Sequence, residues 1–214
     1  MYKCFFKRLF DIVFSLIVIV ISAVPMLIIA IAIKIDAPGP VIFKQKRVGK
    51  CKNGEICYFN IWKFRSMKMS TPHDTPTHLL ENPDQYITKV GKFIRKTSLD
   101  ELVQIYQVFS GHLSLIGPRP ALWSQDDLIA EREKYGANDI TPGITGWAQI
   151  NGRDELEIAD KARLDGEYTK ALNKGWFRGV FMDIRCFFGT FISVLRSDGV
   201  VEGGTGEMKK QREN

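Results

Sequence analysis

Two acidic residues, Asp100 and Glu101, stand side by side just after the segment "ITKVGKFIRK" (residues 87–96), whose only charges are positive. Neighbouring carboxylates suit a division of roles, in which one attacks an electrophile and the other holds a hard divalent cation. Mg²⁺ is such a cation, because it prefers oxygen ligands and usually keeps a substrate phosphate among them. Consecutive helical side chains point about 100° apart, so the two acids face different partners. The pair therefore indicates metal-assisted chemistry on an anionic substrate.

A structural role for the same two acids is the alternative. Ser98 and Glu101 have the S-x-x-E spacing of a capping box, in which the serine hydroxyl accepts from the Glu101 N–H and the glutamate reaches back to Ser98. Acids in a first turn also suit the helix dipole. Both interpretations predict a helix that begins near Leu99. Its predicted buried stripe consists of Leu99, Leu102, Tyr106 and Phe109.

Three cations lie near the acidic pair in the sequence: Arg95, Lys96 and Arg119. Together they have the charge to neutralise a diphosphate. Arg119 lies between two prolines in "GPRP", whose fixed φ angles stiffen the chain and aim the guanidinium. A guanidinium binds phosphate through two parallel hydrogen bonds. The catalytic and the structural interpretations of the acids both remain open at this point.

The 214-residue chain has a net charge of +6, and this charge is unevenly distributed. Residues 1–96 hold 16 basic and 6 acidic residues, whereas residues 97–214 hold 14 and 18. The basic first half predicts an anionic partner, either a nucleic acid or a membrane with phosphorylated ligands. The four cysteines form no C-x-x-C pair and the three histidines are scattered, so we expect neither a zinc site nor a disulfide framework.

Residues 12–33 form an apolar segment of 22 positions without a charge, long enough as a helix to cross a bilayer core. No A-x-A cleavage site follows, which argues against a signal peptide. Basic residues flank both ends of the segment. Positive charge marks the cytoplasmic side of a membrane, so two basic flanks argue against a helix that crosses once. Pro25 predicts a kink near the middle, and the Ser22 hydroxyl is a partner for a freed carbonyl. A re-entrant helix and a spanning helix both remain open.

The rest of the chain reads as short strands, loops and helices. Strands are expected within residues 36–50 and 56–67, the second bearing Lys63 and Arg65, and a mobile loop at about 70–86. A strand and turn at 113–120, a polar helix around 124–135 and an ordered loop at 140–153 should follow. A late helix places apolar residues on one face, for packing in the core or for lying in a membrane surface. That face consists of Val180, Ile184, Phe187, Phe188, Phe191, Ile192 and Leu195.

Six motifs in order resemble the bacterial polyprenyl-phosphate phosphoglycosyl transferases, small monotopic sugar transferases that begin glycan assembly. The motifs are "FKRLFDIVFSL", "PGPVIFKQKRVG", "FNIWKFRSM", "VGKFIRKTSLDELVQ", "LSLIGPRP" and "PGITGWAQINGR". The match runs from about Lys7 to Gly206 and looks like the minimal form, without the additional N-terminal helices and domain of larger members. It implies a mostly helical α+β fold with a re-entrant N-terminal helix, a small sheet and amphipathic interfacial helices.

The resemblance also implies a reaction. A UDP-sugar donates its sugar phosphate to a membrane polyprenyl phosphate, commonly undecaprenyl phosphate, and UMP is released. Asp100 would attack the β-phosphate and form a covalent intermediate, and Glu101 would bind Mg²⁺. Arg95 and Arg119 occupy phosphate-binding positions, and Asp165 matches a further active-site acid. Lys63, Arg65 and Arg153 lie in shared motifs and are further candidates for binding substrate.

The family's membrane helix breaks at a Ser-Pro step, which favours the re-entrant alternative. In this chain Val24 precedes Pro25, and Ser22 is the nearest serine. Proline is expected to make the kink, whereas the hydrogen bond from the serine hydroxyl to the backbone stays an open question. The expected organisation is a membrane helix at 1–36, a cytoplasmic catalytic domain at 37–203 and a disordered tail at 204–214.

The expected location is the inner membrane of a bacterium, with the catalytic domain facing the cytoplasm. The expected partners are a UDP-sugar, a polyprenyl phosphate, Mg²⁺ and the inner leaflet, but no nucleic acid. A second copy of the chain and downstream glycosyltransferases remain open as partners. Two other functions also remain open: a non-catalytic anchored protein that binds anionic lipid or nucleic acid, and an anchored transferase that passes the sugar alone and releases UDP.

Overall fold

The computed structural model describes residues 2–51, 55–71, 83–152 and 156–196. Its α-helices are α1 (Lys7–Asp36), α2 (Lys89–Lys96), α3 (Ile105–Ser110), α4 (Asp126–Glu133), α5 (Trp147–Ile150), α6 (Ile158–Asn173) and α7 (Trp176–Arg196). The strands are β1 (Ile42–Val48), β2 (Tyr58–Phe64), β3 (Ser114–Ile116) and β4 (Gly143–Thr145). A π-helix at Tyr2–Phe6 precedes α1, and 3₁₀ turns lie at Pro83–Gln85, Leu99–Gln104 and Ala137–Asp139. The predicted mostly helical α+β fold is confirmed.

The strands form two small sheets. β1 and β2 are an antiparallel hairpin in which Phe43 lies opposite Lys63 and Lys46 opposite Asn60. β3 and β4 pair in parallel. The sequence predicted an ordered loop with little regular structure at 140–153, but this segment contains both β4 and α5. Regular structure forms there because β4 finds hydrogen-bonding partners on β3, which lies far away in the sequence.

Helix α1 lies against the rest of the protein along its length. One face is buried at intervals of three to seven residues: Lys7, Asp11, Ser15, Ser22, Met26, Ile29 and Ile33. The opposite face is apolar and exposed, with Val20, Ile21 and Ile35 between 69 and 82 % accessible. By length and composition α1 is suited to crossing a membrane, and it is the only such helix in the described residues. The exposed face indicates membrane association.

Proline lies inside α1 without ending it. Pro25 removes the backbone donor that would bind the Ile21 carbonyl, and the helix continues to Asp36. The Ser22 hydroxyl does not fill that place, because it donates to the Val18 carbonyl at 2.6 Å. The prediction that the Ser22 hydroxyl is the partner of the carbonyl freed by Pro25 is therefore wrong.

Two hydrophobic clusters join α1 to the other elements. The first contains Ile105, Val108, Leu113 and Ile116, with Phe14 and Val18 of α1 packed against it. The second contains Ile29, Ile33, Phe64, Ile94 and Val103. Beside the first cluster, Asp183 of α7 accepts from Lys7 at 2.9 Å, from Tyr2 at 2.6 Å and from Tyr168 at 2.7 Å. This buried polar group ties both ends of the chain's described part together.

The apolar face predicted on the last helix is largely exposed. Ile184, Phe188, Phe191 and Ile192 are 47–61 % accessible, whereas the buried positions of α7 include Gly179, Asp183 and Cys186. Core packing is therefore the wrong interpretation for most of this face. Periodicity could not distinguish the two alternatives, because a lipid-facing stripe and a core-facing stripe have the same spacing. The polar helix predicted at 124–135 is confirmed as α4. Most of the predicted loop at 70–86, and the tail, lie outside the described residues.

Candidate active site

The acidic pair lies on a 3₁₀ turn, not on the capped α-helix that the sequence predicted. The helix α2 ends at Lys96, and Ser98 adopts a left-handed conformation with φ of 55°. Its side chain makes no cap hydrogen bond, and only its carbonyl accepts from the Glu101 N–H, at 3.3 Å. The capping box is therefore wrong, because the Glu101 side chain is drawn away by distant cations. The predicted stripe is also wrong in part, since Tyr106 and Phe109 are exposed.

Asp100 is buried, with 9 % of its surface accessible. Burial raises its pKa from 3.8 to about 6, and the Glu101 charge adds to the rise, while Lys63 and Arg95 oppose it. A carboxylate in this state is ionised at neutral pH but poorly hydrated. Poor hydration favours nucleophilic attack, since fewer water contacts must be broken.

Glu101 is held between two cations. Lys63 of β2 donates to its Oε1 at 2.7 Å, and Arg119 donates to Oε1 at 2.6 Å and to Oε2 at 3.3 Å. Burial raises the pKa of this carboxyl, but Arg119 and Lys63 outweigh it and hold the pKa well below its ordinary range. Glu101 is therefore ionised throughout the physiological range.

The turn that carries Arg119 is fixed by its neighbours. The Gly143 N–H donates to the Pro118 carbonyl at 2.9 Å, and Arg47 of β1 donates to the Pro120 carbonyl at 3.1 Å. A Cβ on Gly143 would collide with the backbone of Gly117, so glycine is required for this close approach. The arginine is thus presented from a rigid backbone, as the flanking prolines predicted.

The sequence of this chain is similar to those of known sugar transferases. A family model described as bacterial sugar transferase matches residues 2–197. The chain belongs to the bacterial sugar transferase family. It is 38 % identical over 193 residues to the UDP-glucose:undecaprenyl-phosphate glucose-1-phosphate transferase of Escherichia coli K12, matching 86 % of this chain but only 39 % of that protein. The chain therefore spans about two-fifths of the length of that relative.

Two shorter relatives are matched over most of their length. The chain is 37 % identical to the uncharacterized sugar transferase EpsL of Bacillus subtilis, with 91 % of this chain and 89 % of that protein covered. It is 36 % identical to the exopolysaccharide production protein PSS of Rhizobium leguminosarum, with 88 % and 94 % covered. The predicted resemblance to sugar transferases is confirmed.

The sugar transferase brings some of the predicted site residues together. Asp100, Glu101, Lys63 and Arg119 share one site, as their hydrogen bonds and charges show. Arg95, half-buried in the last turn of α2, lies close enough for its charge to lower the Asp100 pKa. These positions agree with a phosphate-binding role, which remains a prediction.

Other predicted residues bind different partners or fall outside the described residues. Arg65 is buried and donates to the carbonyls of Ala37 and Pro38, where it fixes the end of α1. Asp165 is buried in an ion pair with Arg132, at 2.6 and 2.8 Å, and burial raises its pKa against the effect of Arg132. Within the described residues, no hydrogen bond or ion pair links Asp165 to the acidic pair. Arg153 lies outside the described residues.

Two supporting residues were missed. Gln107 of α3 accepts from the Trp62 N–H at 2.8 Å and donates to the Asn60 carbonyl at 2.7 Å, which joins the hairpin to the helix after the acidic pair. Arg47 braces the proline turn as described above. Arg47 stood in an evident basic run, "KQKR", but no local signal marks Gln107.

Mg²⁺ fits this site only together with a substrate. The described residues hold no cluster of three or more acidic, histidine or cysteine side chains suited to a metal ion. Mg²⁺ usually takes one or two carboxylates plus substrate phosphates, which the acidic pair and a diphosphate would supply. Both Glu101 oxygens accept from Lys63 or Arg119, so these cations would compete with Mg²⁺ for the carboxylate.

Proposed function

We propose that this sugar transferase moves a sugar 1-phosphate from a UDP-sugar to a membrane polyprenyl phosphate, such as undecaprenyl phosphate, and releases UMP. The observation that carries the proposal is the contrast between two adjacent carboxylates. Asp100 is buried with its pKa raised to about 6, and Glu101 is held by two cations with its pKa lowered. Opposite shifts in neighbouring acids indicate separate chemical roles.

Asp100 is the nucleophile of the proposed first step. Its carboxylate oxygen attacks the β-phosphorus, and the bond from that phosphorus to the oxygen bridging to the α-phosphate breaks. UMP leaves with the bonding electrons, and the sugar phosphate remains esterified to Asp100. A phosphate oxygen of the polyprenyl acceptor then attacks the same phosphorus and restores the free carboxylate. Dividing the exchange this way replaces one difficult step with two easier ones.

The cations around Glu101 supply charge where the phosphoryl oxygens need it. Phosphoryl transfer depends on positioning and on neutralising charge over the equatorial oxygens. Lys63 and Arg119 donate to Glu101, and an arriving diphosphate would share or compete for their N–H groups. Glu101, freed in part, is the residue that would hold Mg²⁺. When bound, the ion supplies positive charge to the diphosphate.

The contacts at both ends of α1 support a proposal for how this helix lies in the membrane. Near its start, Arg8 donates to the carbonyls of Val108 and Phe109 at 2.6 Å. At its end, Asp36 accepts from the Val90 N–H at 2.8 Å. A spanning helix would carry these polar contacts to opposite membrane surfaces. We therefore propose that both ends lie on one side, the cytoplasmic side of a bacterial inner membrane, in line with the basic residues on both flanks.

The nucleotide that is released distinguishes sugar-phosphate transfer from transfer of the sugar alone and from a non-catalytic function. Full-length protein in nanodiscs with undecaprenyl phosphate should convert UDP-glucose or UDP-galactose to UMP, and Asp100→Asn should not. The same amide change at Asp126, an exposed acid of α4, is the matched control and should keep full activity. Release of UDP would support transfer of the sugar alone. Binding of lipid with no nucleotide release from any UDP-sugar would support the non-catalytic alternative.

A further inference from the structure

The β1–β2 hairpin has two faces with different partners. Residues paired across an antiparallel hairpin share a face, and neighbours along a strand alternate. Lys63, opposite Phe43, lies on the face that reaches Glu101. Lys44, opposite Trp62, lies on the other face. This second face, with the adjoining Trp123, forms what we call the lysine–aromatic ladder: Lys44, Lys46, Tyr58, Trp62 and Trp123.

The ladder stacks ammonium groups on aromatic rings at the surface. Lys44 Nζ lies 5.9 Å from the centre of the Trp62 ring. Lys46 Nζ lies 4.4 Å from the Tyr58 ring and 5.4 Å from the Trp123 ring. Tyr58 is 47 % and Trp123 43 % accessible. In the part of the chain that the structure describes, neither lysine forms an ion pair with a carboxylate, so both charges are available to an anion.

The ladder continues the surface that α1 covers. At the other end of the same hairpin face, Phe64, Ile42 and Trp62 belong to the cluster that packs on Ile29 and Ile33. The hairpin face that carries the ladder therefore turns toward α1, whose far side exposes aliphatic residues. Where α1 no longer covers the sheet, the aliphatic surface gives way to lysine, tyrosine and tryptophan.

We infer that the lysine–aromatic ladder docks on anionic phospholipid headgroups at the bilayer surface. Tryptophan and tyrosine favour the interface between hydrocarbon and water, and lysines near a membrane attract anionic headgroups. The ladder offers both beside an apolar helix, which matches the change in polarity from acyl chain to headgroup. This inference rests on the proposed membrane placement of α1, but not on the proposed chemistry.

Docking would also set the distance of the active site from the membrane surface. The opposite face of the hairpin holds Glu101 through Lys63 and braces the proline turn through Arg47. Headgroups bound to the ladder therefore lie one sheet thickness from the residues that hold the acidic pair. This arrangement fixes the distance between Asp100 and the membrane surface, where a lipid-linked phosphate is presented.

Fluorescence quenching of Trp123 tests the inference directly. Wild-type protein and Trp123→Phe are placed in nanodiscs of phosphatidylcholine and phosphatidylglycerol with a nitroxide on either the headgroup or the acyl chain. The difference in fluorescence between the two proteins is the signal of Trp123. The headgroup nitroxide should quench it more strongly than the acyl-chain nitroxide. Leu16→Trp, on the exposed face of α1, should show the reverse order.

Charge reversal supplies the second arm. Lys44→Glu with Lys46→Glu should shift the local docking equilibrium by at least about 30-fold, which corresponds to about 2 kcal/mol, and Trp123 quenching should fall. High salt should reproduce this loss. Lys170→Glu, an exposed charge on α6, is the matched control and should leave the quenching unchanged.

The outcomes separate the two proposals. Deep quenching at Leu16→Trp without headgroup quenching at Trp123 overturns the ladder and leaves the α1 placement intact. Absence of quenching at both sites overturns the placement and the ladder with it. Quenching of Trp123 by UMP, in place of headgroup nitroxide, overturns lipid docking in favour of nucleobase stacking. Turnover of UDP-sugar is measured independently, so its failure does not affect the quenching result.

Discussion

The first half of the proposed reaction, esterification of Asp100, should lose rate in acid along a curve centred near pH 6. Burial raises the Asp100 pKa from 3.8 to about 6, and the Glu101 charge adds to the rise. Only the carboxylate is nucleophilic. A group with a pKa of about 6 is about 90 % ionised at pH 7 and about 10 % ionised at pH 5. An ordinary aspartate would still be about 90 % ionised at pH 5, so the two cases differ by about ninefold.

The assay is a single turnover of radiolabelled UDP-sugar without acceptor, followed by measurement of UMP release and of label on the protein. The acceptor is omitted because a phosphate monoester has its own second pKa of about 6. Glu101 adds no competing curve, because its pKa lies well below the ordinary range. Thermal melting at each pH shows that the protein remains folded across the titration.

A rate that stays level between pH 7 and pH 5, or that falls only near pH 4, would refute the reasoning. A matched pair of variants sharpens the result. Lys63→Gln should move the curve to higher pH, because Lys63 lowers the Asp100 pKa. Lys68→Gln removes an exposed charge just beyond the same strand and should leave the curve in place.

Three further predictions concern stability and the proline turn. Since the folded pKa of Asp100 exceeds the unfolded value, its stabilising contribution is complete below pH 3.8 and is lost as pH rises through about 6. Asp100→Asn should therefore stabilise the inactive protein at pH 7, by up to about 3 kcal/mol in chemical unfolding; equal or lower stability contradicts this. Lys7→Met should lower the free energy of unfolding by about 3–5 kcal/mol, because it leaves the buried Asp183 charge without its cation. The double variant Lys7→Met with Asp183→Asn should recover part of this loss in the same unfolding measurements. Gly143→Ala should displace the turn at Gly117 and reduce UMP release, whereas an unchanged rate would show that this contact does not position the turn.

The sequence predicted the elements that local patterns specify. The apolar segment, the hairpin strands and the polar helix α4 all appear close to their expected positions. The parallel pairing of β3 with β4 could not be predicted, because three-residue strands have no periodicity and form only when distant partners meet. Periodicity also could not predict that the apolar face of α7 is exposed, because it shows that residues share a face but not what that face contacts.

The site residues could be predicted where charged residues stand in a distinctive local sequence. Asp100, Glu101 and Arg119 were found from the acidic pair and the proline turn, and the structure brings them together. Arg65 shows the limit of this reasoning, since a basic residue in a shared motif binds two carbonyls at the end of α1. Charge alone does not reveal whether a guanidinium meets phosphate or backbone.

The backbone conformation of Ser98 explains why the pKa values of Asp100 and Glu101 shift in opposite directions. Its left-handed conformation ends α2 and starts a 3₁₀ turn, in which consecutive side chains point about 120° apart. Glu101 therefore reaches the cations of β2 and the proline turn, while Asp100 is directed into the protein. In a regular capping box, Glu101 would turn back onto its own helix and leave Lys63 and Arg119 without it. The separation of the two pKa values thus depends on breaking the local motif, so that distant cations, and not the helix end, bind the glutamate.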